Sequence, residues 1–145
     1  MREAAVRLRV LLDELELPAA PMTTGARGLH LVVRLDGRAD FDEVREFARD
    51  VAELLASRHP DRLTTAARKE DRGDRLYLDV QRNAYAQTAV APYTVRALLG
   101  ASVAVPLAWE EVADPGVDAR HWTVADAVDR ARSDPWAGLP HRGRP

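Results

Sequence analysis

The chain has no cysteine, which excludes disulfides and thiolate-bound zinc and fits the reducing cytoplasm. No apolar run approaches the ~20 residues that a membrane helix needs. The opening residues Met1-Arg2-Glu3-Ala4-Ala5 lack the apolar centre of a signal peptide. A cytoplasmic location, away from any membrane, is the expectation. Lysine is nearly absent: Lys69 stands alone among arginines. That reads either as the codon bias of a GC-rich genome or as a preference for planar guanidiniums, which match phosphate oxygens. Neither charge sign dominates, since 21 basic residues face 23 acidic ones for a net charge of −2. Any contact with nucleic acid must therefore come from a local patch. No two histidines stand at metal-ligand spacing, no Gly-Lys-Ser/Thr completes a Walker loop, and no segment repeats.

What remains is 145 residues, 46% of them apolar, enough for the core of one domain. The boundaries expected are 1–139 for that domain and 140–145 for a disordered tail. Residues 2–16 read as an amphipathic helix, with Val6, Val10, Leu11, Leu12 and Leu15 on its apolar face. Pro18 and Pro21 end it. Residues 29–35 read as a buried strand, followed by a turn at Asp36-Gly37. Asp40 and Glu43 form a capping box for a helix running to about Arg58. Its expected apolar stripe is Phe41, Val44, Phe47, Ala48, Val51, Leu54 and Leu55. Residues 76–80 read as a strand carrying Asp79. Extended chain is expected at 88–93 and 101–106, and short helices at 108–112 and 124–132. The three tryptophans, Trp109, Trp122 and Trp136, suit anchors for those helices.

Four clusters carry possible chemistry. The run Thr24-Gly25-Ala26-Arg27-Gly28-Leu29-His30 puts a hydroxyl, two glycines, a guanidinium and an imidazole just before a strand. It reads either as a glycine-containing hairpin or as a turn that holds phosphate, with glycine allowing backbone amides to approach the anion and Arg27 offering a fork of donors. Asp79, between Leu78 and Val80, reads either as an exposed polar residue on a half-buried strand or as a carboxylate facing a cleft, where pairing or a metal would offset its desolvation. Arg82, Asn83 and Arg96 read either as solvated side chains or as the lining of a groove beside Asp79. Arg68, Lys69, Arg72 and Arg75 are interleaved with Glu70, Asp71 and Asp74. That segment is either a solvated mixed-charge loop or a loop tracking nucleic-acid phosphates.

Taken together these segments resemble the polymerase domain of bacterial DNA ligase D, a branch of the archaeo-eukaryotic primase superfamily. Residues 23–30, Thr-Thr-Gly-Ala-Arg-Gly-Leu-His, are similar to that family's Thr-Ser-Gly-Gly-Lys-Gly-Leu-His. Leu78-Asp79-Val80-Gln81-Arg82-Asn83 is similar to its Asp-bearing strand. Residues 88–97, Thr-Ala-Val-Ala-Pro-Tyr-Thr-Val-Arg-Ala, are close to its Thr-Ala-Val-Ala-Pro-Tyr-Ser-x-Arg-Ala. Residues 105–112 and Asp134-Pro135-Trp136 match its C-terminal end, so the resemblance spans about 20–138.

The resemblance implies a mixed, mostly antiparallel α/β (α+β) fold of the primase-polymerase kind. It implies a nucleoside triphosphate and DNA ends as ligands, in non-homologous end joining. Thr24, Arg27, His30, Arg82, Asn83 and Arg96 would contact the nucleotide. Arg68, Lys69 and Arg72 would contact DNA. Asp79 would be the catalytic, metal-holding carboxylate, sharing a divalent cation (manganese or magnesium) with the nucleotide. Two positions depart mildly: Thr24 replaces Ser and Arg27 replaces Lys. A third departure is larger. The family's Asp-x-Asp strand, upstream of the glycine motif, has no counterpart within residues 1–145, and Asp13 and Glu14, inside a helix, cannot replace it. A two-metal reaction needs more carboxylates than Asp79. The expectation is thus a domain fragment, truncated at its N-terminus, that is inactive alone and relies on a partner chain or a ligase. The alternative is a non-catalytic module or partner subunit that binds nucleotide or DNA phosphate.

Overall fold

The computed structural model describes residues 1–140 and 143. The chain forms two compact units. One comprises Met1–Arg34 with the described residues from Val90 onward; the other is Leu35–Ala89. The expected tail at 140–145 lies outside the described residues except for Pro140 and Gly143.

The first unit begins with α1 (Arg2–Glu14), which buries Ala4, Ala5, Leu11 and Leu12. Val6 and Val10, expected on the buried face, are 46% and 53% exposed. The helical period explains the correction: residues 4, 5, 8, 11 and 12 fall on one side, and 6 and 10 about half a turn away. The helix ends two residues early. Glu16 takes a left-handed φ of 57°, its N–H bonds Asp13 O at 3.0 Å, and Leu17 N–H bonds Leu12 O at 2.8 Å. This pattern satisfies orphan carbonyls at a helix C-terminus.

A strand follows where sequence reading placed only a helix stop. β1 (Ala19–Thr23) is buried along its length and pairs antiparallel with β2 (Leu29–Val33), Met22 opposite His30. Pro21 concealed it, because proline removes a ladder donor. The strand is held there through its acceptor instead: Leu107 N–H and Trp136 Nε1 both donate to Pro21 O, each at 3.0 Å.

The core of this unit is residues 102–107, which link by bridges and single hydrogen bonds in place of the regular strand expected at 101–106. Val103, Ala104 and Val105 are fully buried. Val103 N–H bonds Trp122 O at 2.8 Å and Thr23 N–H bonds Val105 O at 2.9 Å, while Ala104 exchanges bonds with Tyr93 and Thr94 on the opposite edge at 2.7 and 3.0 Å. The Thr23 hydroxyl, itself buried, accepts from Val105 N–H at 3.0 Å. Fully burying a valine or leucine side chain contributes about 1.5–3 kcal/mol, so this run and β1 hold the unit together. α3 (Trp109–Ala113) and α4 (Val124–Arg132) close it. Arg130 on α4 forms a two-pronged bond to Glu111 on α3 at 2.7 and 2.9 Å and stacks over Trp122 at 4.3 Å. Residues 88–93, expected to be extended, form a turn at Pro92-Tyr93, with Tyr93 at φ 63°.

The second unit is built on α2 (Phe41–Arg58). Its capping box forms as expected: the Asp40 carboxylate accepts from Asp42 and Glu43 N–H at 2.9 Å each, and Glu43 accepts from Asp40 N–H at 2.9 Å. A cap of this kind stabilises a helix by about 1 kcal/mol. Val51, Ala52 and Leu55 are buried, whereas Phe41, Phe47 and Leu54 of the expected stripe are exposed. Phe47 and Leu54 lie one edge round from the buried residues, and Phe41 meets Tyr85 edge-on at 5.6 Å. β3 (Leu63–Thr64) and β4 (Leu76–Tyr77) pair in parallel. The architecture is thus mixed α/β with mainly antiparallel pairing. No helix among the described residues is long and apolar enough to cross a membrane.

Candidate functional site

The turn between β1 and β2 is shaped from within by Thr24 and from outside by three distant residues. The Thr24 hydroxyl donates to Gly28 O at 2.9 Å and accepts from Ala26 N–H at 3.3 Å and Gly28 N–H at 3.2 Å. A hydroxyl has one proton and two lone pairs, so Thr24 is fully committed to the turn. Gly25 has φ +63°, and a Cβ there would lie 2.7 Å from Arg96 Cγ and 3.0 Å from Ala104 N. Only glycine fits. Buried Ser102 donates its hydroxyl to Gly25 O at 2.6 Å. Arg120, between α3 and α4, donates its Nε to Ala26 O at 3.0 Å. Gly28 differs from Gly25: a Cβ there would meet nothing within 4 Å.

The first unit therefore brings Thr24, Arg27 and Arg96 to one turn. Arg27 is exposed at its apex and Arg96 is half-buried. His30 sits on β2, half-buried, on the strand face opposite Leu29 and Leu31, which pack on the Ala5, Leu107 and Val112 cluster. Glu111 anchors the segment that carries Arg120. Burial alone would raise its carboxyl, but the hydrogen bond from Arg130, the Ala108 N–H and the charges of Arg130 and His121 hold it below the ordinary carboxylate value. Burial pushes the Tyr93 hydroxyl up, offset in part by Arg130.

The second unit carries the other expected residues. Asp79 does not lie within a strand, because β4 stops at Tyr77. It is exposed, and its Oδ1 accepts Gln81 N–H at 3.0 Å, at the start of a short 3-10 turn over Gln81–Asn83. Arg82 and Asn83 are exposed on that turn, with Asn83 Nδ2 bonded to Val80 O at 3.3 Å. The strand expectation failed because Asp79 hydrogen-bonds the backbone two residues on, which competes with ladder formation. Arg68 and Lys69 are exposed. Arg72 grips its own loop: it bonds Ala66 O at 3.0 Å and Ala67 O at 2.6 Å, and stacks over Tyr77 at 3.8 Å.

Among the described residues no group of three or more His, Asp or Glu side chains is placed to hold a metal ion. Asp79, with one oxygen already bonded, does not fit a two-cation centre, whose ions stand ~3.5–4 Å apart and share several carboxylates.

Two residues of the turn escaped sequence reading. Ser102 had a faint signal, a lone hydroxyl in an otherwise apolar run. Arg120 had none.

Comparison with known proteins places this arrangement in context. The family model described as "LigD, primase-polymerase domain" matches residues 1–136. The multifunctional non-homologous end joining protein LigD of Pseudomonas aeruginosa is 37% identical over 141 residues, covering 94% of this chain and 17% of that protein. The Mycolicibacterium smegmatis protein of the same description is 35% identical, covering 88% of this chain and 16% of its own length. Among solved structures, the polymerase domain from Mycobacterium tuberculosis ligase D in complex with DNA matches with a TM-score of 0.84 and 31% identity. That match covers 91% of this chain and 46% of the solved one. The chain thus spans under a fifth of the length of these two relatives.

Proposed function

The chain belongs to the LigD primase-polymerase domain family, and on that premise we propose that its first unit is the triphosphate grip of a nucleotidyl-transferring domain in non-homologous end joining. Arg27 and Arg96 provide guanidiniums for phosphate oxygens. Thr24 keeps the turn in shape, and His30 presents an imidazole from the adjoining strand. In the second unit, Asp79, Arg82 and Asn83 are the residues we assign to catalysis, with one Asp79 oxygen available to a manganese or magnesium ion. Arg68 and Lys69 meet the phosphates of DNA ends, and Arg72 holds their loop. The description of the mycobacterial neighbour as bound to DNA supports a DNA partner. A cytoplasmic location goes with this reading.

One observation carries it: the turn is packed so closely that a Gly25 Cβ would stand 2.7 Å from the Arg96 side-chain stem, which brings that side chain beside glycine backbone, with Arg27 exposed at the apex of the same turn. The test is calorimetric titration of the chain with ATP. Wild type binds, and Arg96→Ala weakens binding about tenfold or more, since a hydrogen bond to a charged group contributes about 1.5–3 kcal/mol. Equal binding by both proteins would overturn the reading. Because Asp79 alone cannot fit two cations, these residues by themselves do not extend a primer. Template-dependent extension with manganese and ribonucleotides would contradict that part.

A further inference from the structure

We infer that Arg120 is a third cation of the phosphate-binding turn, and that it contacts the anion directly. The inference rests on the reading of the turn as a triphosphate grip and adds a residue that neither sequence reading nor comparison assigned. Its basis is convergence. Three successive turn residues each carry or neighbour an arginine side chain: the Arg96 stem lies beside Gly25, its Cγ 2.7 Å from where a Cβ would stand, Arg120 Nε bonds Ala26 O at 3.0 Å, and the third residue is Arg27 itself. The three arginines come from separate stretches, at 27, 96 and 120. None of them forms an ion pair among the described residues, whereas four other arginines of this unit do. Arg7 meets Glu3, Arg9 meets Asp13, Arg130 meets Glu111 and Arg132 meets Asp129.

Three arginine side chains that reach one turn, with no carboxylate paired to any of them among the described residues, give that turn a positive potential that favours an anion. Arg120 is suited to the task because its bond to Ala26 O uses only Nε. That bond fixes the plane of the guanidinium against the turn and leaves both terminal nitrogens as donors in a fork that matches phosphate oxygens. Asp118, the nearest acid in sequence, is turned to the backbone: its Oδ1 accepts Arg120 N–H at 2.7 Å. The backbone on which Arg120 sits is thereby fixed too.

The test uses inorganic tripolyphosphate as probe, titrated into the chain by calorimetry at low and high salt, with adenosine as a phosphate-free control. Arg120→Gln removes the charge, and Arg120→Lys keeps it while losing the fork. The expected result is a loss of about five- to tenfold for Arg120→Gln, a smaller loss for Arg120→Lys, and a difference between them that shrinks at high salt. Thermal unfolding of both variants, at wild-type temperature, shows that the turn is intact. If Gln and Lys variants bind tripolyphosphate as wild type does while Arg96→Ala is weakened, Arg120 is only a brace; the inference fails and the reading of the turn survives. Equal weakening by Gln and Lys at all salt concentrations also overturns it, because loss of a brace ignores charge. If wild type itself does not bind tripolyphosphate, the reading of the turn falls, and the inference with it.

Discussion

The turn at residues 24–28 and the turn at 79–83 carry half of the residues on which function was expected to rest, and they are held in different ways. The first is fixed by long-range contacts: Arg96, Ser102 and Arg120 reach residues 25 and 26 from more than seventy positions away. The second is held mainly by its neighbours in sequence. Asp79 accepts from Gln81 N–H, Asn83 bonds Val80, and a more distant bond runs from Arg45 to Gln81 at 3.2 Å. A site anchored by distant residues is preformed before its ligand arrives, which lowers the ordering cost of binding. A site held locally keeps its side chains in solvent and needs partners to define them. On the proposed function, the difference predicts that phosphate affinity resides in the first turn.

Substitutions can break this contrast. The largest effect is expected at Gly25→Ala, where the added methyl meets backbone at 3.0 Å and the left-handed φ adds strain; a loss of about 2–4 kcal/mol in urea unfolding is expected. Gly28→Ala, with open space around it, stays within about 0.5 kcal/mol of wild type. If the two glycines respond alike, the first turn is not constrained from outside. Ser102→Ala comes next, because it leaves the buried Gly25 carbonyl without its donor, at a cost of about 1–3 kcal/mol.

Glu111→Gln follows, at about 1–2 kcal/mol near neutral pH, read as a fall in Tm. The Glu111 carboxyl is held below its ordinary value in the folded state. Its contribution is therefore full above the unfolded value of about 4.3 and is lost as pH falls through the lower folded value. The gap in Tm between wild type and Glu111→Gln should close in acid; a gap that widens there would contradict the assigned direction. The smallest effect belongs to the second turn. Asp79→Asn retains an oxygen to accept Gln81 N–H and changes stability by less than about 0.5 kcal/mol.

The sequence made parts of both turns legible, and the reasons differ. The α2 capping box was readable because it is local: Asp40 and Glu43 are three residues apart and meet each other. The glycine turn was readable as a motif, but which glycine mattered was not, since Gly25 is constrained by residues 96–104, remote in sequence. β1 was hidden by Pro21, which lacks a ladder donor, and the bonds that hold the strand there reach its carbonyl from Leu107 and Trp136, remote in sequence. The faces of α1 and α2 were misjudged where apolar residues lie just outside the buried arc, as at Val10 and Phe47. Arg120 was illegible because its partner is a backbone carbonyl ninety-four residues away, and any residue type supplies a carbonyl.

The central claim is that the first turn binds the triphosphate by itself. Its most direct measurement is the tripolyphosphate affinity, without divalent metal, of wild type, Arg96→Ala and Asp79→Asn. The account predicts that Asp79→Asn binds as wild type does and that Arg96→Ala is weaker by about tenfold or more. Loss of binding in Asp79→Asn, with Arg96→Ala unchanged, would contradict it.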